Sequence, residues 1–320
     1  MFKGSLVMLS LLTMFIILSL DTSIINLQDK FFEPVSAQGF NNTRSRIQNE
    51  TAESTTPPTD RTLIVKLLAD NLENRINKSA AILEITGELP QVKNVSYANS
   101  ISSELHGIPK DLDIAKRKVA QDILATDKDL QLIFFLMPNG DMYMEEPYSR
   151  QQNLTGNNFA FRDYYKGAVS TGDTYLGNIV ISASSGFPQS NIAVPVYYSH
   201  SNNTYNNENR SNSIMSLLGV WSGGLNLTVF SETLQSLNLT NGERIVYVDQ
   251  HGQKVADSNK QSFKTNQNES FANLQAFNNV LQEQKPGSAI EMINGIRMLV
   301  FYEPVQFHST TWAVLLLKPA

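Results

Sequence analysis

The sequence predicts an α+β protein: one long N-terminal helix, then two tandem modules, each a five-stranded antiparallel sheet with flanking helices. Three observations point to it. An apolar stripe at three- and four-residue spacing opens the folded part, with Leu68, Leu72, Ile76, Ala80, Leu83 and Ile85 on one helical face. Two strand–turn–strand stretches follow, LQLIFFLMPNGDMYMEEP from 130 and RIVYVDQHGQKVADSN from 244, and the elements behind each come in the same order. The spacing repeats as well: 55 residues separate Gly140 from Pro195, and 52 separate Gly252 from Pro304.

The N-terminus reads as an export signal. An almost unbroken apolar run extends from Leu6 to Leu20 and ends at Asp21. Its length suits the apolar core of a signal peptide better than a full span of about 20 residues. Val35-Ser36-Ala37 before Gln38 is a cleavage motif; the competing reading keeps Ser5 to Leu27 as a membrane anchor. Residues 1–37 are therefore a signal peptide or an anchor, and the rest is extracellular or held at the cell surface. Ten Asn-x-Ser/Thr sequons, from Asn41 to Asn268, fit a glycosylated surface protein or simply an Asn- and Ser-rich composition.

Residues 38–59 lack periodicity and are rich in Asn, Ser, Thr and Pro, which makes them a disordered linker. Asp60 caps the long helix, and a second helix is expected from Pro109 to about Ala125, so 60–127 form a helical stalk. The first module spans 128–240. Its hairpin turns at Pro138-Asn139-Gly140-Asp141, an Asn-Gly signal. A helix over 159–171 and strands including NIAVPVYY and GVWSGGLNL follow, with a polar insertion, SHSNNTYNNENRSNS, at 199–213. The second module, 241–320, turns at Asp249-Gln250-His251-Gly252, continues through a helix over 269–284, and ends on TTWAVLLL.

Composition excludes several functions. A net charge of −5 without clustered Lys and Arg excludes a nucleic-acid surface; Lys116-Arg117-Lys118, the longest basic run, reads as a solvated helix face. The absence of cysteine removes disulfides, thiolate nucleophiles and thiolate metal sites. None of the four histidines stands at metal-ligand spacing. No Gly-x-Ser-x-Gly, Gly-x-x-x-x-Gly-Lys or Gly-x-Gly-x-x-Gly pattern occurs. Glu145 and Glu146 are adjacent in a strand and so point to opposite faces, which prevents them from working as a pair. No enzyme, cofactor or metal site is expected.

One constellation remains. FRDYYKGA, 161–168, sets Arg162 among aromatics in a chain that uses charge sparingly. Guanidinium offers a carboxylate two parallel donors, and tyrosines would supply apolar walls and hydroxyls. The competing reading pairs Arg162 with Asp163 or another surface acid and leaves the tyrosines as core.

The long leading helix, the two consecutive PAS-like units, and FRDYYKGA followed by NIAVPVYY and GVWSGGL resemble the double Cache family of extracytoplasmic sensor domains over about residues 60–320. The resemblance implies that the chain binds a small molecule in the first module, the membrane-distal one, without chemistry upon it. In the amino-acid-sensing branch an Arg-x-Trp-Tyr segment holds the ligand carboxylate, with a Tyr five residues earlier and an Asp on the last strand of the module. Arg162 and Tyr165 match; Tyr164 stands where Trp is usual, the earlier Tyr falls on Asn157, and the Asp falls near Gly224. With no acid beside Gly224, a small carboxylate or related anionic metabolite is the expected ligand rather than an amino acid. Arg162 would anchor it, Tyr143, Tyr164, Tyr165 and Tyr197 would wall it, and Ser184 and Ser185 would form a lid. The sequence carries no kinase, methyl-accepting or cyclase module, so a membrane receptor or kinase is the partner class implied. The rival reading is a structural or adhesive surface glycoprotein on the same fold.

Overall fold

The computed structural model describes residues 58–198, 216–240, 242–260 and 269–320. The stretch read as a signal peptide or anchor, most of the expected linker and the polar insertion lie outside the described residues. Among the described residues no helix is long and apolar enough to cross a membrane.

The first element is α1, Pro58–Gly87, a helix opened by proline in its first turn, where the missing N–H is not needed. It buries Val65, Leu68, Leu72, Ile76, Ala80 and Leu83. Ile85, part of the same periodic series, points outward instead. A short helix, α2 (Pro90–Lys93), leads to α3 (Ile114–Thr126). The helix expected from Pro109 starts later because Asp113 adopts a left-handed conformation (φ 49°) and caps α3 through the amide of Lys116.

The first sheet contains β1 (Leu130–Leu136), β2 (Met142–Glu146), β3 (Tyr175–Leu176), β6 (Asn191–Tyr198) and β7 (Ser216–Leu225), in the order β2-β1-β7-β6-β3. The small hairpin of β4 (Val180–Ile181) and β5 (Pro188–Gln189) stands apart from it. The second sheet contains β8 (Arg244–Val248), β9 (Lys254–Asp257), β10 (Gly287–Ile293), β11 (Ile296–Phe307) and β12 (Thr310–Pro319). Its order, β10-β11-β12-β8-β9, is the same connectivity read from the opposite edge. All ladder pairings are antiparallel.

The duplication extends to individual turns. Gly140 and Gly252 both have positive φ, 86° and 73°. A Cβ on Gly140 would meet the Ala160 nitrogen at 2.6 Å, and one on Gly252 would meet the Ala272 nitrogen at 2.5 Å, so neither place admits a side chain. Each glycine carbonyl accepts from the amide of a phenylalanine, Phe159 (2.8 Å) or Phe271 (2.7 Å).

Both sheets put one face against α1, in a common core that holds Trp221 and Trp312. The opposite face of the first sheet packs on α5 (Asp163–Thr171), and that of the second on α7 (Gln275–Glu283). Helix α6 (Leu227–Gln235) joins the modules. Helices expected over 159–171 and 269–284 are shorter, since Phe159 and Phe271 are held in the turns just described.

The basic run 116–118 does not form a solvated face. Lys116 and Arg117 are fully buried, and only Lys118 is exposed. The Arg117 guanidinium donates to Glu146 Oε1 (2.7 Å), Gln151 Oε1 (3.2 Å) and the Ile108 carbonyl (3.1 Å). Lys116 Nζ donates to the Asn94 carbonyl (2.6 Å) and lies 4.2 and 4.0 Å from the ring centres of Phe135 and Tyr143. Burial pushes its ammonium down to about 8.

Candidate ligand-binding site

A cavity opens between the β1–β2 face of the first sheet, the start of α5 and the β4–β5 hairpin. Leu132, Phe134, Met142, Phe159 and Tyr164 supply its apolar lining. Glu145, Arg162, Ser182, Ser184, Gln189 and Asn191 supply its polar groups. The inner space is about 30 Å³, and outward it continues into a groove of about 740 Å³ lined by Asn153, Thr155, Arg162 and residues 180–186.

Arg162 precedes α5 as its N-cap residue rather than lying on the helix. Its backbone is extended (ψ 142°), which turns the side chain from the helix axis toward the hairpin. Nη2 donates to the Ile181 carbonyl (3.0 Å), and the guanidinium carbon lies 5.0 Å from the Phe161 ring centre. Among the described residues Arg162 forms no ion pair. Asp163 instead accepts from the Asn178 amide (2.5 Å).

Glu145 is the acid that sequence reasoning did not assign to this site. Strand alternation from Tyr143 would send 143 and 145 to the same face. A β-bulge prevents this: Leu136 pairs with Met142 and Phe135 with Met144, leaving Tyr143 as the extra residue. Tyr143 and Met144 therefore both face the α1 side, and Glu145 faces the cavity. Glu146, on the opposite face, is the partner of Arg117.

The Glu145 carboxylate is 2% exposed and receives one side-chain hydrogen bond, from Ser184 Oγ at 2.8 Å. Its backbone N–H donates to Gln151 Oε1. Burial pushes the carboxyl up to about 7, against the opposing effects of the Ser184 hydroxyl and the positive charge of Arg150. A buried carboxylate with a single side-chain hydroxyl donor and, among the described residues, no ion-pair partner is a costly arrangement of the kind that collects at binding sites.

The other expected site residues divide into two groups. Tyr164 lines the cavity, edge-on to Phe134 with ring centres 5.7 Å apart, and burial raises its hydroxyl. Ser184 lies over the cavity on Glu145, and Ser185 lines the outer groove. Tyr143, Tyr165 and Tyr197 lie elsewhere. The bulge sends Tyr143 into the core, where its hydroxyl donates to Asp113 Oδ2 (2.7 Å). The hydroxyl of Tyr165 donates to the Pro138 carbonyl (2.6 Å) beneath the hairpin turn. Tyr197 is six residues along β6 from Asn191, roughly 20 Å away at the rise of a strand.

Asn157, at the position of the usual tyrosine, bonds His106 Nδ1 (2.6 Å) and does not line the cavity. At Gly224 a Cβ would meet Gln189 Nε2 at 2.7 Å, so Gln189 fills the space an acid would need. Gln189 donates in turn to Asn191 Oδ1 (2.5 Å), which makes the floor polar but uncharged. Among the described residues no group of His, Cys, Asp and Glu has the arrangement of a metal site.

The segment behind the hairpin is held by the second module. Asp249 Oδ2 accepts from the Ile179 amide (3.0 Å), and Gln250 Nε2 donates to Asn178 Oδ1 (2.5 Å). Thr310 Oγ1 donates to the Leu176 carbonyl (3.2 Å). Chain continuity then leads directly from these contacts to Val180 and Ile181 at the cavity.

Comparison with known proteins agrees with this architecture. The Cache domain family model matches residues 41–320. A search of curated proteins finds no match. The ligand-binding domain of the Pseudomonas fluorescens chemoreceptor CtaA, solved with L-isoleucine, is 14% identical, with a TM-score of 0.53 over 82% of this chain and 91% of that one. The domain of the Pseudomonas aeruginosa receptor PctB, solved with L-Arg, is also 14% identical (TM-score 0.53; 82% and 94% covered). That of PctC, solved with GABA, is 17% identical (TM-score 0.53; 81% and 98% covered). At these identities the likeness is one of fold. With the family model matched over both modules, the chain belongs to the double Cache family of ligand-binding sensor domains.

Proposed function

We propose that this protein is an exported, non-enzymatic small-molecule sensor whose ligand sits in the first-module cavity and carries both a carboxylate and an ammonium group. The observation behind this reading is Glu145, a buried acid with one hydroxyl donor, lining the same cavity as Arg162. Arg162 spends one of its donors on the Ile181 carbonyl and keeps others for a carboxylate. An ammonium group beside Glu145 would supply the ion-pair partner it lacks among the described residues. Tyr164 and Phe134 would wall the ligand. That CtaA, PctB and PctC domains were solved with amino acids or GABA supports the class. The inner space is small, so the β4–β5 hairpin opens to admit the ligand and closes Ser184 over it. A membrane receptor or kinase would read the bound state.

The small inner space favours a second reading, in which the same fold serves as a structural surface protein with no ligand. A thermal-shift screen of the full chain separates the two, using amino acids, their deaminated acids and their decarboxylated amines. A ligand at 100 times its dissociation constant should add about 2.7 kcal/mol of stability. The proposal expects hits among the amino acids alone, lost in Arg162→Ala. Hits among the acids alone would remove Glu145 from the site, and no hits with a folded protein would favour the structural role.

A further inference from the structure

The β10–β11 hairpin is where the second module exposes apolar side chains. Its two-residue turn is Asn294-Gly295, both with positive φ (52° and 79°). Ile290 and Met292 are 56% and 66% exposed, and Ile296 is 58% exposed. The register pairs Met292 with Arg297 and Ile293 with Ile296, so Met292 and Ile296 occupy opposite faces. The tip is therefore apolar on both faces. A rigid partner docking on a sheet needs one apolar face; a tip apolar all round suits a medium that surrounds it.

Charge follows the same arrangement. Arg297 lies opposite Met292, and Lys318 lies opposite Leu299, which is itself opposite Ile290. Among the described residues neither cation has an ion-pair partner. The acid of this hairpin, Glu291, turns to the other face and accepts from the amides of Gln275 (2.7 Å) and Ala276 (2.8 Å) at the start of α7.

Position adds an independent reason. Arg61, near the start of α1, pairs with Glu243 (2.7 Å), next to Arg244, which pairs across the sheet with Leu317. The Ala320 amide donates to the Arg297 carbonyl (3.0 Å). The start of α1, the end of β12 and the hairpin tip thus share one end of the fold. The described chain also begins at this end, at Pro58.

We propose that the β10–β11 tip is a membrane-contact loop: Met292, Ile290 and Ile296 enter the headgroup boundary of a bilayer, while Arg297 and Lys318 pair with lipid phosphates. Apolar insertion beside cations is the physical pattern of interfacial binding. The contact would fix the orientation of the second module against the lipid surface, independently of what the first-module cavity binds.

The sequence contains no cysteine, so a single introduced one can be labelled uniquely. Met292→Cys, Ile296→Cys and, as a control at an exposed position of α5, Ser170→Cys would each carry an environment-sensitive fluorophore in the full chain. With phosphatidylcholine–phosphatidylglycerol vesicles, labels at 292 and 296 should shift to the blue and be quenched by headgroup-level nitroxide lipids, and the label at 170 should not. Arg297→Glu combined with Lys318→Glu should weaken the tip response about fivefold per charge at low salt. Unchanged melting of each variant checks folding. Tip labels that ignore vesicles would overturn the proposal. So would a blue shift that needs no lipid and grows with protein concentration, because a second copy then covers the tip. An equal response at 170 would mean non-specific adsorption and would overturn it too.

Discussion

Glu145 and Arg162 are the two ionisable acid and base side chains that line the cavity. The folded-state pKa of Glu145 is raised from 4.5 to about 7, so its neutral form is favoured in the fold. A raised acid contributes stability that is complete below its unfolded pKa and is lost as pH rises through about 7. Glu145→Gln, which keeps the shape without the charge, should therefore raise the melting point of the ligand-free protein at pH 8. The gain is on the order of 3 kcal/mol, and melts at pH 4.5 should show little difference. Equal melting points at pH 8 would mean that a cation already pairs with the carboxylate. Arg162 was legible in the sequence because a lone guanidinium among aromatics is visible without a fold. Glu145 was not, because only the bulge at Tyr143 reveals which of two adjacent acids faces the cavity.

Helix α3 and strand β2 show why burial is harder to read than periodicity. Three consecutive basic residues give no hint of which face is buried, and Lys116 and Arg117 prove to be interior. Arg117 links α3, α4 (Tyr148–Gln152) and β2 through Glu146 and Gln151. Arg117→Ala would strand the Glu146 charge, and chemical denaturation should register a loss of about 3–5 kcal/mol. On α1, Leu72 is fully buried in the common core. Leu72→Ala should cost about 2–5 kcal/mol in the same measurement. The α1 stripe was readable because five apolar residues, Leu68 to Leu83, recur at three- and four-residue spacing; Ile85, only two residues beyond Leu83, breaks that spacing and is exposed where the helix nears its end at Gly87.

At the scale of the molecule, the duplicated strand order was legible from the spacing of Gly140, Pro195, Gly252 and Pro304, since each hairpin turn demands a glycine. The contact between modules was not, because Asp249 looks like an ordinary turn acid. Its carboxylate does cap its own turn, with Oδ1 accepting from the His251 and Gln253 amides, but Oδ2 also holds the Ile179 amide across the module boundary, one residue before β4. Asp249→Ala should cost at least about 1–3 kcal/mol by leaving that amide, together with the turn amides of His251 and Gln253, without its acceptor, and hydrogen exchange at Ile179 should accelerate. A ligand that closes the β4–β5 hairpin should slow the same exchange in the unmodified protein. The most direct measurement of the central claim is calorimetric titration at pH 8 with an amino acid from the screen, comparing the unmodified chain with Glu145→Gln and Arg162→Ala. The ligand should bind the unmodified chain, lose at least tenfold in affinity (about 1.4 kcal/mol) in each variant, and bind more weakly at pH 6 as Glu145 takes up its proton. Unchanged affinity in Glu145→Gln, at both pH values, would contradict the account.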